Sequence, residues 1–105
     1  MPDTWGLART AEGLFVHGEI DLATADRFEE QALEAVLGIP GSSVLIDLSG
    51  VTFMDSAGLR ALLRVVELDD GKTLIVQPSR QVFKLLHLAS LVNGELSNVE
   101  VREPT

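Results

Sequence analysis

A chain of 105 residues in which 46% of side chains are hydrophobic is long and apolar enough to fold as a single domain, here residues 1–105, and too apolar to be disordered. Sixteen acidic against eight basic residues leave a net charge of -8, a field that repels phosphate backbones and anionic lipid heads and argues against direct binding to nucleic acid or membrane. With no cysteine, disulfides and cysteine-based zinc sites are excluded.

In chain order, Trp5 to Arg9 and Leu14 to Ile20 read as two strands separated by turn residues around Gly13. Trp5 is the lone tryptophan and is expected to anchor an edge strand. Thr24 is the expected cap of a first helix, with Ala25, Phe28, Ala32 and Val36 on one apolar stripe, ended by Gly38, Pro40 and Gly41. Val44 to Leu48 is a short apolar strand interrupted only by Asp47. A second helix is expected from Ser56 to Leu68, its apolar face formed by Leu59, Leu62, Leu63 and Val66. Asp69, Asp70 and Gly71 turn the chain into a strand over Thr73 to Gln77. Pro78 and Ser79 start a third helix that carries Val82, Leu85, Leu86 and Ala89 inward, and a last strand covers Ser97 to Val101. Glu29-Glu30 and Asp69-Asp70 read as solvated surface.

The order is therefore β-β-α-β-α-β-α-β, an α/β class. Strands alternating with single helices imply parallel pairs joined by right-handed crossovers, with an opening hairpin at one edge. The expected product is a mixed sheet with helices on one or both faces and sites near the carboxyl ends of its strands. The opening "MPDTWG" lacks the basic and apolar regions of a secretory signal. The longest apolar run, "LLHLASLV", is far short of the ~20 residues needed to span a bilayer. A soluble, cytoplasmic protein is expected.

One junction carries the functional signal. "FMDSAGLRALL" places Asp55, Ser56, Ala57 and Gly58 between an apolar strand and an apolar helix. Aspartate and serine are preferred helix caps because their oxygens accept orphan N–H groups of the first turn, and Gly58 permits close backbone packing. The same geometry suits modification: a phosphate on a serine at a helix start meets free N–H donors and the positive end of the helix dipole. Such a phosphate adds about 1.5 to 2 negative charges, which a partner on that surface would register.

The wider pattern decides between these readings. "GEIDLATA" from Gly18 to Ala25, followed by "VLIDLSGVTFMDSAGLRALL" from Val44 to Leu63, resembles the STAS domain family and, within it, the bacterial anti-sigma factor antagonists. The matching residues are Gly18, Glu19, Ile20 and Asp21; the strand Val44 to Val51; the motif Asp55, Ser56, Ala57, Gly58 and Leu59; and the helix start at Pro78 and Ser79. The resemblance runs from about Leu7 to Val101.

It implies a STAS-like mixed sheet with packed helices and Ser56 as the phosphorylated serine. Asp21 is then near it on the kinase-facing surface, Asp55 orients the serine and Gly58 allows the tight helix start. The partner surface it implies comprises Asp21, Thr24, Asp55, Ser56, Ala57, Gly58 and the exposed side of the second helix at Arg60. Family members bind, unphosphorylated, an anti-sigma factor that is also a serine kinase, and so free a sigma factor. A metal-dependent serine phosphatase reverses the modification. The chain itself is then a substrate and not an enzyme, with no cofactor or metal of its own. Ala57 leaves Ser56 as the sole acceptor within the motif; Ser49 and Thr52 lie outside it. Against the family pattern, "RVVELDDGKTL" is shorter, and the close at "EVREPT" makes the final family helix missing or vestigial. The runner-up is a STAS scaffold or transport-complex subunit without the switch, in which Ser56 only caps a helix.

Other chemistries fit less well. Glu19, Asp21, Asp47 and Asp55 lack the acidic pair after the first strand that a receiver-type magnesium site requires, and Asp47 is better read as a hydrogen-bonded strand residue. Ser56 lacks the flanking glycines of a nucleophile elbow. Of the two histidines, His17 falls on a strand, and His87, on an apolar helix, is expected to be buried and hydrogen-bonded. No phosphate-binding loop ends in glycine, lysine and a hydroxyl residue.

Overall fold

The computed structural model describes residues 4–67, 71–89 and 98–104. Its elements follow the expected order: β1 (Trp5–Arg9), β2 (Gly13–Ile20), α1 (Ala25–Gly38), β3 (Ser43–Met54), α2 (Ser56–Val66), β4 (Thr73–Pro78), α3 (Arg80–Leu88) and β5 (Val99–Val101). The expected turn at Asp69 and Asp70, the second-helix end at Leu68 and the last-strand start at Ser97 lie outside the described residues. Residues 102–104, after β5, are not helical.

The sheet has five strands in the order β1-β2-β3-β4-β5; β1 is antiparallel to β2 and the other pairs are parallel. Because each parallel strand lies beside the one before it, three right-handed crossovers place all three helices on one face. Register and burial agree. Leu14, Ile46, Val76 and Val101 are aligned across the sheet on the helix side, while Phe15, Asp47 and Gln77 are aligned on the other and only half-buried.

The core forms between that sheet face and the helices. Phe28, Ala32, Ala35 and Val36 of α1 belong to one buried cluster with Leu14, Val16, Val44, Ile46 and Leu74. Trp5 is buried and meets Phe28 edge-on, ring centroids 6.4 Å apart, so it anchors the edge strand as its position suggests. Arg64 of α2 bonds Glu29 of α1 at 2.9 Å, which ties the two helices and raises the guanidinium further above its already high pKa.

Four expectations need correction. Strand β3 runs to Met54, well past Leu48, because two register shifts each insert one extra residue opposite β2. Its buried positions then pass from steps of two (Val44, Ile46, Leu48) to steps of three (Val51, Met54), which hides the strand from a period-two reading. The buried face of α2 is Gly58, Ala61, Leu62, Val65 and Val66, so Leu59 and Leu63 lie at its margin, half-buried. Ala89 lies just past the end of α3 and is exposed. His87 is exposed too, its ring stacked on Phe83 at 6.3 Å and not sealed in the core.

Candidate functional site

The carboxyl ends of β2, β3 and β4 lie side by side and release the chain into α1, α2 and α3. Gly18 prepares the first of these ends. Its φ of 93° favours a residue without a side chain, and a Cβ there would lie 2.1 Å from Thr4 O. The strand then carries Glu19 and Ile20 to the loop at Asp21.

That loop is held by its own side chains. Asp21 Oδ1 accepts from Ala23 N at 3.0 Å, and Asp21 O accepts from Ala25 N at 2.8 Å. Thr24 Oγ1 accepts from Asp21 N at 3.0 Å and donates toward Glu19 O at 3.1 Å or Asp21 Oδ1 at 3.2 Å. Thr24 occupies the position before α1, yet its side chain caps no helical N–H. Thr24 is the N-cap residue as expected, but the expected side-chain bond is not made: its hydroxyl is committed to the loop, and Asp21 supplies the turn.

At the end of β3, Asp55 is the cap of α2. Its Oδ1 accepts from Gly58 N at 3.0 Å, its carbonyl accepts from Leu59 N at 2.9 Å, and its Oδ2 accepts from Leu22 N at 3.2 Å. Both carboxylate oxygens are therefore spent on backbone N–H groups, one in α2 and one in the neighbouring loop. Ser56 is the first residue of the helix, exposed, and is not its cap. The idea of Ser56 as a helix N-cap is corrected on this point.

Gly58 is where α2 comes down onto the sheet. A Cβ at that position would stand 2.3 Å from Ile20 O and 2.8 Å from Met54 Cγ. Ala57 is half-buried against the core. Arg60 is exposed one turn beyond Ser56, on the same side of the helix, and makes no ion pair or hydrogen bond with any described residue; Arg64 is engaged with Glu29. Hydrogen bonds thus join Asp21, Thr24, Asp55 and Gly58 into one framework, with Ser56 and Arg60 projecting beside it.

Ser79 caps α3 at the same edge, accepting from Val82 N at 3.2 Å. Gln81 in the first turn donates from Nε2 to Met54 O at 3.3 Å, so α3 also braces the residue before Asp55. Asp47 is placed elsewhere, midway along β3 on the uncovered face, where Oδ1 accepts from Ser49 N at 2.9 Å. Among the described residues no three histidine or acidic side chains form a cluster able to hold a metal. No helix among them is long and apolar enough to cross a membrane.

The sequence reading named the Asp21–Thr24 loop for its polar residues and passed over Leu22. That side chain is 81% exposed at the loop tip, beside Asp55. An apolar residue between a strand and a helix carries no mark in sequence that separates core from surface; the structure puts it at the loop tip, its backbone N–H bonded to Asp55.

Residues 10–100 match the family model of the STAS domain. The chain belongs to the STAS domain family. Among solved structures, this STAS domain is similar to an anti-sigma factor antagonist from Mycobacterium paratuberculosis, at 32% identity and a TM-score of 0.66, over 87% of this chain and 82% of that one. It is also similar to the anti-sigma factor antagonist SpoIIAA in its unphosphorylated form, with a TM-score of 0.61 over 94% of this chain and 88% of that one. At 21% identity the second likeness speaks for the fold alone.

Proposed function

We propose that this STAS domain is a cytoplasmic anti-sigma factor antagonist gated by phosphorylation of Ser56. Unphosphorylated, it binds an anti-sigma factor with serine kinase activity and so releases a sigma factor. The kinase transfers the terminal phosphoryl group of ATP to Ser56 Oγ, the complex comes apart, and a metal-dependent serine phosphatase restores the active form. The partner surface comprises Asp21, Leu22 and Thr24 of the loop, Asp55, Ser56, Ala57 and Gly58 at the helix start, and Arg60 beyond it. The 32% identity to a mycobacterial anti-sigma factor antagonist supports the role.

One observation carries the switch. Ser56 is exposed at the first position of α2 while Asp55 makes the cap, so a phosphate can be added without unmaking any hydrogen bond that starts the helix. The N–H groups of Ser56 and Ala57 have no acceptor among the described residues and form the positive end of the dipole, so the fold tolerates the new charge. A partner does not. A hundredfold loss of affinity requires about 2.8 kcal/mol. One like-charge contact at ~4 Å in an effective dielectric of ~20 is nominally about 4 kcal/mol before screening. Phosphate placed against a partner carboxylate is therefore sufficient without refolding.

The test is incubation with the cognate anti-sigma factor and ATP, followed by peptide mass spectrometry and calorimetric titration. A single phosphate on the peptide containing Ser56, absent in Ser56→Ala, is expected, with binding retained by Ser56→Ala and weakened about a hundredfold by phosphorylation. A phosphorylated protein that binds as tightly as the unmodified one would sink the proposal.

A further inference from the structure

The helix layer ends in two faces of opposite charge. Helix α1 packs over β1 and β2 at one end, and α3 packs over β3 and β4 at the other. The outer ridge of α1 carries Asp26, Glu30 and Glu34 at four-residue steps, all exposed, and then Leu37, 58% exposed. The nine residues of α3, RQVFKLLHL, include no carboxylate and present Arg80, Lys84 and His87 to solvent.

Beside Arg80 and Lys84 runs a groove of about 420 Å³ lined by Arg80, Phe83, Lys84, His87, Leu88 and Pro104. Its apolar part is the Phe83–His87 ring stack with Leu88, which is 77% exposed. Neither Arg80 nor Lys84 is paired with a carboxylate among the described residues. Unpaired cations around an apolar groove, on a chain of net charge -8, are complementary to an acidic amphipathic helix.

This chain carries such a helix. The carboxylates of α1 repeat at the same four-residue step as Arg80 and Lys84, ~6 Å along a helix axis, and Leu37 continues that ridge with an exposed apolar side chain. The like net charges of two copies do not forbid the contact. The molecule measures 37 × 29 × 23 Å, so touching copies have centres well beyond the ~8 Å Debye length of physiological salt, whereas paired side chains lie within it.

We infer that the α3 groove receives the α1 ridge of a second copy of this chain. The two patches lie at opposite ends of the helix layer and do not share one contact face, so the contact is heterologous. Each pair leaves one ridge and one groove free, and copies add head to tail without stopping at a dimer. The contact uses neither Ser56 nor the Asp21–Thr24 loop, and it stands apart from the phosphorylation switch.

Sedimentation equilibrium of the full chain from micromolar to millimolar concentration tests this. The average mass is expected to rise from 11.3 kDa past the dimer as concentration increases. Two double variants, Arg80→Ala with Lys84→Ala and Glu30→Ala with Glu34→Ala, alter only exposed positions, and circular dichroism checks their fold. Each is expected to associate about tenfold more weakly, the effect of removing two exposed charge pairs. An equimolar mixture of the two retains one intact ridge and one intact groove, so it forms a dimer and nothing larger. A wild-type chain that stays monomeric, including one whose groove serves a different acidic protein, overturns the inference. So does a wild-type mass that stops at the dimer, association as strong in both double variants as in the parent, or a mixture that forms no dimer.

Discussion

Asp55 and Leu22 lie 33 residues apart in the chain and are joined by a single hydrogen bond, from Leu22 N to Asp55 Oδ2 at 3.2 Å. The other oxygen of the same carboxylate accepts from Gly58 N at 3.0 Å. One side chain therefore starts α2 and holds the loop that leads into α1. The aspartate of the motif serves the fold, and this leaves the hydroxyl of Ser56 outside it.

Asp55→Ala removes the cap, and a lost cap costs about 1 kcal/mol, with up to ~2 in protein hosts. Unfolding by urea is expected to show that loss. Ser56→Ala, at an exposed site without a capping bond, is expected to stay within about 0.5 kcal/mol of the parent. The opposite ranking would make Ser56 the cap and withdraw the structural basis for a dispensable hydroxyl.

At Gly58 two effects compete. Alanine is better than glycine inside a helix by about 1 kcal/mol. The added Cβ, however, would stand 2.3 Å from the carbonyl oxygen of Ile20, which is strand backbone and not a flexible side-chain tip. Overpacking of this kind costs typically 1–3 kcal/mol, so Gly58→Ala is expected to be destabilised or at best neutral. A variant with a raised unfolding midpoint would mean that α2 can lift off β2 freely.

How legible the molecule was in its sequence depended on which regularity each segment kept. The stripe Ala25, Phe28, Ala32 and Val36 was readable because α1 holds one helical period, and all four residues are buried. The second half of β3 was not, because its two bulges break the alternation that identifies a strand. Asp55, Ser56 and Gly58 stood out as a motif at a strand-to-helix junction, where the structure places them. Their division of labour did not stand out, since aspartate and serine are nearly equal as caps and only geometry assigns the bond. Thr24 misled for a related reason: a threonine before a helix looks like a side-chain cap even when its hydroxyl is engaged by Glu19 and Asp21. His87 showed the limit of an apolar neighbourhood, because it falls off the buried face of α3 that Val82 and Leu86 define.

Leu22 offers a second probe of the partner surface. Being 81% exposed, its truncation to alanine leaves the fold within about 0.5 kcal/mol of the parent. An exposed leucine at the loop tip, its backbone N–H bonded to Asp55 Oδ2, offers apolar area for a partner to bury. Leu22→Ala is expected to weaken anti-sigma factor binding about tenfold, read by calorimetry. Unchanged affinity would remove the loop tip from the interface while leaving Ser56 untouched.

The phosphorylated chain itself is expected to keep its fold. Phosphate on Ser56 gains from the helix dipole, typically 0.3–1 kcal/mol, and from the N–H groups of Ser56 and Ala57. It loses through repulsion from Asp55, whose carboxylate is held next to it by Gly58 and Leu22. These opposed contributions are of similar size, so the thermal midpoint should move by only a few degrees and the difference should shrink in high salt. Amide chemical shifts should change around residues 20–24 and 55–60, where the phosphate and its hydrogen-bonded neighbours lie, and remain constant in β1 and α3. Shifts spread over the whole sheet would show that phosphorylation acts by remodelling the domain. The local pattern means that it acts through charge placed directly against a partner.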